Sequence, residues 1–446
     1  MEEDKYFISL LVLIILVSSF LIFIFTKYLN DKFVSGDGFV YLTYSYSVIR
    51  EKLFLDRIRS PLLFLVIPPN LEIARIFMVI FHLGISIFIF KLIYKLTKNT
   101  PISLFGGIIY GINPYMLDFT RFTLSDLPAV FFFILSLYFF FDEDRKSKVI
   151  SGTFSGLSFI FRPDMGILIA IIFFLNVRNE MNWKYFLPTF LFLAIFLNFI
   201  SAFLVFKKPL FPPLEFIKVN FIEEKMAFQT QTTNYKNYFW FINRFFEYNK
   251  TVIPFFLLSL FSIPMKNKYY LQFLILFILF SFISIFLPKI DVRIFITKIT
   301  PVFSILVAQG LIFLRKNSFL LFVFIGLICL STINILTSNL WFKYPVWRPE
   351  EVNYKKDGII CSNQPFIYIY INKVPAHLLS YFESRSRGKK LNLLEKEIER
   401  CNYTYLFTHR EITFLQAEEI KFLNIKYKVE VHKVGDYHVY EIFSKI

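Results

Sequence analysis

Charged residues, histidine and cysteine are all scarce in this chain. Of 446 residues only 18% are charged, five are histidine and three are cysteine. Three cysteines cannot build the framework of a small disulfide-rich domain. The C-terminal region also lacks a glycine-rich phosphate loop and any Cys/His spacing typical of a metal site. These absences exclude a disulfide scaffold and give no support for a nucleotide-binding or zinc domain.

Apolar residues are correspondingly abundant. The chain is 56% hydrophobic and 20% aromatic, which is more apolar surface than a soluble core of this size could bury. The net charge of +16 is carried by short groups of Lys and Arg between apolar stretches, and no basic face forms. The composition therefore predicts a polytopic membrane protein with membrane lipids as partners and no nucleic acid.

The three cysteines are expected to be free. Cys329 lies inside an apolar stretch, where a thiol behaves as a small hydrophobic group. Cys361 ends one predicted strand and Cys401 precedes another, so parallel neighbouring strands would hold the two sulfurs about 15 Å apart. The sequence thus predicts no bridge between Cys361 and Cys401.

Apolar runs ended by charge or proline give eleven candidate membrane segments. They are residues 6–26, 73–94, 101–117, 127–141, 149–161, 165–177, 185–206, 252–265, 269–288, 299–314 and 318–340. With a cytoplasmic N-terminus every short inner loop is basic, as the positive-inside rule requires. We therefore expect a multi-pass protein of the plasma membrane whose C-terminus is extracytoplasmic.

The composition changes near Trp341. Short β-rich runs then alternate with helical patterns up to the end of the chain, which is typical of a small α/β domain. The predicted fold class is an α-helical polytopic membrane protein with about 11 spanning segments and a C-terminal extracytoplasmic α/β domain. The predicted domains are a membrane module, 1–343, and the α/β domain, 344–446.

Two charged residues predicted near the outer membrane surface are candidates for a functional site. Asp37 lies between Gly36 and Gly38 just after the first span, where an ionisable group is costly without a use. Arg162 belongs to an Arg-Pro-Asp break between two short spans and should lie at membrane depth. The alternatives are a simple tight turn at Asp37 and an Arg162 that is ion-paired with Asp164.

Further charged and aromatic residues are predicted at the same outer level. Tyr41 and Arg59 lie in the first outer loop, and Arg121 and Asp126 lie between spans three and four. Arg293 belongs to a group of cations that also contains Lys289 and Lys298. Positive charge is not required there by topology, so an anionic ligand is expected.

The order of these motifs resembles the GT-C-type glycosyltransferases, in particular the dolichyl-phosphate-mannose protein mannosyltransferases and the aminoarabinose transferases. The stretches that carry the resemblance are Asp37 with Tyr41; Arg59-Ser60-Pro61-Leu62; Gly106 to Asp126 followed by Phe131 to Phe141; Ser151-Gly152 to Phe161-Arg162-Pro163-Asp164; and Asp291-Val292-Arg293-Ile294-Phe295 leading into Pro301. They cover about residues 1–315. Relatives often have Asp-Glu at the head of the first loop, whereas Gly38 follows Asp37 here.

The resemblance implies transfer of a hexose-type sugar, such as mannose, from a polyprenyl (dolichyl) phosphate to a protein, glycan or lipid acceptor on the outer face. Inversion at the anomeric carbon needs a general base, and the resemblance assigns Asp37 to it. Arginines stabilise a leaving phosphate through bidentate contacts, which implies a role for Arg293 and Arg162, followed by Arg59 and Arg121.

Some roles and functions stay open at the level of sequence. Asp126 and Tyr41 are candidates for acceptor binding, and Asp37 with Asp126 could share a divalent metal, Mg²⁺ or Mn²⁺. No cofactor is otherwise implied. A transporter or flippase of polyprenyl-linked glycans, and an inactive scaffold subunit of an envelope glycosylation complex, are the alternative functions.

Overall fold

The computed structural model describes most of the chain, in two compact units. The described residues are 2–28, 36–49, 59–218, 246, 249–250, 252–261, 268–286, 292–311, 318–337, 354, 357–379, 381, 391–408, 415–434 and 437–445. The first unit comprises Met1–Thr26, Arg57–Val66 and Arg75–Trp341. The second comprises Lys27–Asp56, Ile67–Ala74 and Phe342–Ile446. The proposed boundary at residue 343 lies outside the described residues.

The first unit is built of helices. They are α1 (Glu2–Tyr28), α3 (Leu71–Thr97), α4 (Thr100–Gly111), α5 (Pro114–Phe119), α6 (Asp126–Phe140), α7 (Arg145–Phe161), α8 (Met165–Leu175), α9 (Asn182–Phe206), α10 (Pro212–Ile217), α11 (Ile253–Phe261), α12 (Lys268–Phe286), α13 (Val292–Gly310) and α14 (Ser318–Thr337), with a 3₁₀ turn at Pro61–Leu65. The helix α2 is described with the second unit.

Four of these helices are long and apolar enough to cross a bilayer: α1, α3, α9 and α14. Five further apolar stretches of 10–17 residues lie in α4, α6, α8, α12 and α13. Many of their outward side chains are apolar and exposed, such as Phe7, Phe203 and Phe319. An exposed apolar surface on long helices suits lipid, so the expected polytopic helical fold is confirmed.

Small residues allow α7 to pack closely on its neighbours. Ser136 of α6 is within hydrogen-bond distance of the hydroxyls of Ser151 and Ser155 on α7. On another face, a methyl group added at Gly152 would lie 2.6 Å from the carbonyl oxygen of Phe186 in α9. Small and hydroxylated residues of this kind are the usual contacts between helices in membranes. They hold the C-terminal end of α7, and hence Arg162, in place.

The second unit contains a five-stranded mixed sheet. Its strands are β1 (Ile360–Ser362), β2 (His377–Leu378), β3 (Tyr403–Thr408), β4 (Tyr427–Val434) and β5 (Tyr437–Lys445), in the spatial order β2-β1-β3-β5-β4. β1 is parallel to β2 and β3, whereas β5 is antiparallel to β3 and β4. The helices α15 (Pro365–Asn372), α16 (Leu391–Ile398) and α17 (Ala417–Lys426) complete the unit. The expected C-terminal α/β fold is confirmed.

The second unit also contains a helix from the start of the chain. α2 runs from Gly36 to Ile49 and packs on α15. The hydroxyl of Thr43 donates to the carbonyl of Phe366 at 3.0 Å, and the ring of Phe39 lies 5.9 Å from that of Tyr370. Gly36 and Gly38, expected in a loop, therefore begin a helix, and the described surface of α2 is almost entirely buried.

The expectation that Cys361 and Cys401 remain unpaired is wrong. The two residues form a disulfide, with Cα atoms 5.9 Å apart. The strands are parallel and adjacent, as supposed, but β1 is only three residues long and Cys361 lies opposite Thr404, near the start of β3. Cys401 is therefore offset by three residues only, and not by a whole strand.

Candidate functional site

Four charged side chains meet inside the first unit. The Nη2 atom of Arg162 lies 3.4 Å from Oδ1 of Asp126 and 3.3 Å from Oδ2 of Asp164. The ammonium group of Lys298 contacts the same Asp164 oxygen. Asp126, Arg162 and Lys298 are buried, and Asp164 is nearly so. We call Asp126, Arg162, Asp164 and Lys298 the charge cluster.

Local sequence explains how the chain brings these groups together. Arg162 follows the last residue of α7 with an extended backbone, φ −147° and ψ 102°, which is the conformation that a following proline favours. Pro163 then separates α7 from α8, and Arg162 and Asp164 on either side of it pair with each other at the break. Asp126 begins α6, and Lys298 lies within α13. The predicted break at Arg162-Pro163-Asp164 is confirmed.

The charge cluster contains two cations and two carboxylates, so it is formally neutral. Arg162 is ion-paired with Asp164, as the alternative interpretation of this break foresaw, and also with Asp126. Neither carboxylate oxygen of Asp126 accepts a hydrogen bond from a described residue, although its exposure is 0%. A buried carboxylate with unused acceptor capacity can bind the hydroxyl groups of a ligand.

Arg121 belongs to a separate buried pair. Its Nε atom lies 2.8 Å from Oδ1 of Asp118, and its carbonyl oxygen accepts a hydrogen bond from Nε of Arg75 at 3.2 Å. The turn between α5 and α6 is thereby anchored to α3. Because Arg121 is already engaged with a carboxylate, the arrangement favours a role in holding this turn.

The remaining predicted site residues are placed mainly by their backbone. Asp37 is the second residue of α2, and its side chain lies outside the described part of the structure. Tyr41 is buried within the same helix. Arg59 is half-buried just before the 3₁₀ turn at Pro61. Arg293 begins α13, and its side chain is also outside the described part.

The described surroundings of Asp126 do not fit a divalent metal. Magnesium needs six oxygen ligands, but the described residue that pairs with Asp126 is Arg162, whose guanidinium lies at 3.4 Å. Since the side chain of Asp37 is not described, a metal shared by these two carboxylates stays a prediction.

Sequence reasoning had not assigned a site role to Lys298 or Asp164. The sequence places Lys298 among the outer cations and Asp164 beside Arg162, but contact between Lys298 and Asp164 depends on tertiary packing, which brings α13 to the break between α7 and α8. A lysine in the middle of an apolar helix was the available signal, because such a charge is costly unless it is paired.

Comparison with known proteins supports the resemblance. Residues 62–206 match the family model described as dolichyl-phosphate-mannose-protein mannosyltransferase. The match covers α3 to α9 and includes Asp126 and Arg162. A search of curated protein sequences gave no match.

Solved structures extend the likeness to nearly the whole chain. The crystal structure of ArnT from Cupriavidus metallidurans in the apo state superposes with a TM-score of 0.64 over 96% of this chain and 97% of that one, at 10% identity. The two chains share one fold. The ArnT structure bound to undecaprenyl phosphate gives the same TM-score, coverage and identity. The resemblance to GT-C-type enzymes is thus confirmed at the level of fold, and the family model agrees with it over α3 to α9.

Proposed function

We propose that this protein is a membrane glycosyltransferase that uses a polyprenyl-phosphate-linked sugar. The observation that carries the proposal is the agreement of the family model over residues 62–206 with an ArnT-like fold over 96% of the chain. ArnT has been crystallised with undecaprenyl phosphate, which supports a polyprenyl phosphate as the lipid part of the donor here. The sugar is a hexose-type unit, and the acceptor is a protein, glycan or lipid.

The proposed reaction inverts the anomeric carbon. An acceptor oxygen or amide nitrogen forms a bond to that carbon while the bond to the phosphate oxygen breaks, and the electron pair leaves with the polyprenyl phosphate. The acceptor must lose a proton in the same step. A carboxylate within hydrogen-bond reach accepts it, which is worth roughly 10²- to 10⁴-fold in rate.

We assign the proton-accepting role to Asp37. Its place in the first turn of α2 supports this assignment, because the position is determined by the packing of α2 on α15 and not by a free loop. The helix N-terminus also favours the ionised carboxylate. Precise placement of a reacting group is what makes general-base catalysis efficient.

Arg293 is the first choice for binding the donor phosphate, and Arg59 remains a further candidate. Arg162 and Arg121 are weaker candidates for phosphate binding. The guanidinium group of Arg162 already pairs with Asp126, and that of Arg121 already pairs with Asp118. We propose instead that Arg162 positions Asp126. The free acceptor capacity of Asp126 then serves hydroxyl groups of the acceptor or the sugar, with Tyr41 as a further candidate.

We further propose that the second unit lies outside the cytoplasm, in the plasma membrane orientation given by the basic loops. The Cys361–Cys401 disulfide supports this orientation, since such bonds persist in oxidising compartments. The donor and acceptor would then meet on the outer face.

The test is a transfer assay with purified protein and a polyprenyl-phosphate hexose as donor. The acceptor is a glycan or lipid fraction from the cell envelope of the organism that makes the protein. We expect Asp37→Asn to bind donor normally and to lose at least about 10²-fold in kcat. Arg293→Ala should weaken donor binding, whereas Arg178→Ala, which removes an exposed arginine, should leave it unchanged.

Full activity of Asp37→Asn would remove Asp37 from the base role. Movement of the intact donor lipid across vesicles without sugar transfer would favour the transporter alternative. An envelope glycan profile from a deletion strain would then identify the sugar and the acceptor class together.

A further inference from the structure

Three side chains on the β4–β5 hairpin have no part in the proposed function. Glu430 and His432 lie on β4, and Glu441 lies on β5. One ligand atom from each of the three falls within 4.8 Å of the others. The Nε2 atom of His432 is 3.2 Å from Oε2 of Glu441.

The strand register explains why these groups share one face. Glu430 is paired directly with Glu441, and His432 follows Glu430 by two residues, which returns it to the same side of the sheet. β4 is an edge strand of the described sheet, and the exposure of Glu430 and His432 shows that solvent reaches this face of the hairpin. Glu430 and His432 retain considerable exposure, whereas Glu441 is only 4% exposed.

Two carboxylates opposite each other on neighbouring strands destabilise a sheet. Here one of the pair is buried as well, which increases the cost of its charge. Among the described residues, the ammonium group of Lys428 lies 3.6 Å from Glu430 and is largely exposed, so this pair contributes little. The imidazole of His432 lies 3.2 Å from Glu441 and offsets its charge only when protonated. A divalent cation bound between the two carboxylates would neutralise both without a proton on His432.

The buried carboxylate is also held in a fixed orientation. The hydroxyl of Tyr405 on β3 donates to Oε1 of Glu441 at 3.0 Å, which leaves Oε2 facing His432. A hydrogen bond from a neighbouring group to a ligating carboxylate is a common feature of metal sites. In a tetrahedral zinc site with bonds of about 2.0–2.1 Å, ligand atoms lie roughly 3.3 Å apart, close to the His432–Glu441 separation.

We propose that Glu430, His432 and Glu441 form a binding site for a zinc-class divalent transition ion on the β4–β5 hairpin. One imidazole nitrogen and two carboxylate oxygens suit zinc, and three protein ligands leave a fourth position for water. The ion neutralises the paired carboxylates and ties β4 to β5. The site is independent of sugar transfer.

The experiment is a zinc titration of the full-length protein in detergent after treatment with a chelator. A chromophoric competitor gives the Kd, and elemental analysis gives zinc per chain. We expect about one equivalent for the wild type and its loss in His432→Asn. The matched control is His438→Asn, which removes an exposed histidine three residues from Glu441 on the other face of β5.

Tyr405→Phe should weaken zinc binding by about 10- to 100-fold, as expected for loss of an outer hydrogen bond to a ligand. Zinc should raise the Tm of the wild type and of His438→Asn, but not that of His432→Asn. Equal zinc content in His432→Asn and the wild type, or no zinc bound by the wild type, would overturn the proposal. Because His432 is partly exposed, an unchanged metal-free Tm of His432→Asn would show that the variant is folded.

Discussion

The hydroxyl of Thr43 donates a hydrogen bond to the backbone carbonyl of Phe366, a residue 323 positions later in the chain. Thr43 is completely buried in α2, and Phe366 belongs to α15. The contact fixes α2, with Asp37 in its first turn, to the β-sheet unit. The helix that carries Asp37, the proposed general base, is thus held in place by residues from the opposite end of the sequence.

We expect Thr43→Val to destabilise the second unit by about 0.5–1.5 kcal/mol, because the shape is kept while the hydrogen bond is lost. Thermal unfolding of the purified protein measures the change. Thr337→Val is the matched control, since Thr337 is exposed and bonds only carbonyls of its own helix. An equal Tm shift in both variants would contradict the importance of this contact.

In the charge cluster, a single substitution should destabilise the protein more than a double substitution that removes an ion pair. Asp164→Asn removes a carboxylate that pairs with both Lys298 and Arg162 and leaves Lys298 without an ion-pair partner among the described residues, which should cost about 3–5 kcal/mol. The double variant Asp164→Asn, Lys298→Met should recover part of the loss, because one unpaired buried cation is also removed.

Stability in detergent, followed by thermal unfolding, reports both effects. Glu180→Gln provides the control, because it breaks an exposed ion pair with Lys184 and should change little. Additive losses at Asp164 and Lys298 would show that the two groups do not interact.

The disulfide predicts a simple thiol count. Denatured protein should contain one free thiol, that of Cys329, before reduction and three after it. Cys401→Ser should destabilise the second unit by about 2–4 kcal/mol, whereas Cys329→Ser should leave that unit unchanged. Three free thiols in unreduced protein would contradict the bond.

Because α7 packs closely on α9, the stability of the protein should be sensitive to substitution of Gly152 on α7. A methyl group at Gly152 would meet the Phe186 backbone, so Gly152→Ala should cost about 1–3 kcal/mol. Gly326→Ala, on α14, meets nothing within 4 Å and should be tolerated. Detergent-resistant folded fractions of the two variants, measured after heating, would separate these outcomes.

Sequence patterns predicted the features that depend on local physics. Apolar runs identified the helical membrane module, and Pro163 located the break that holds Arg162. The features that the sequence did not predict depend on strand register or on contacts between residues distant in the sequence. The three-residue length of β1 brings Cys361 to Cys401, and packing unites Lys298 with Asp164. The placement of α2 on α15 has no signature near Gly36 at all.

That placement has a consequence during synthesis. The ribosome makes α2 more than 300 residues before α15 exists. At about 5–20 residues per second the delay is roughly 15 to 65 seconds. During this delay the apolar side chains of α2 lack their final partner. The bilayer or a chaperone must therefore cover this helix until translation is nearly complete.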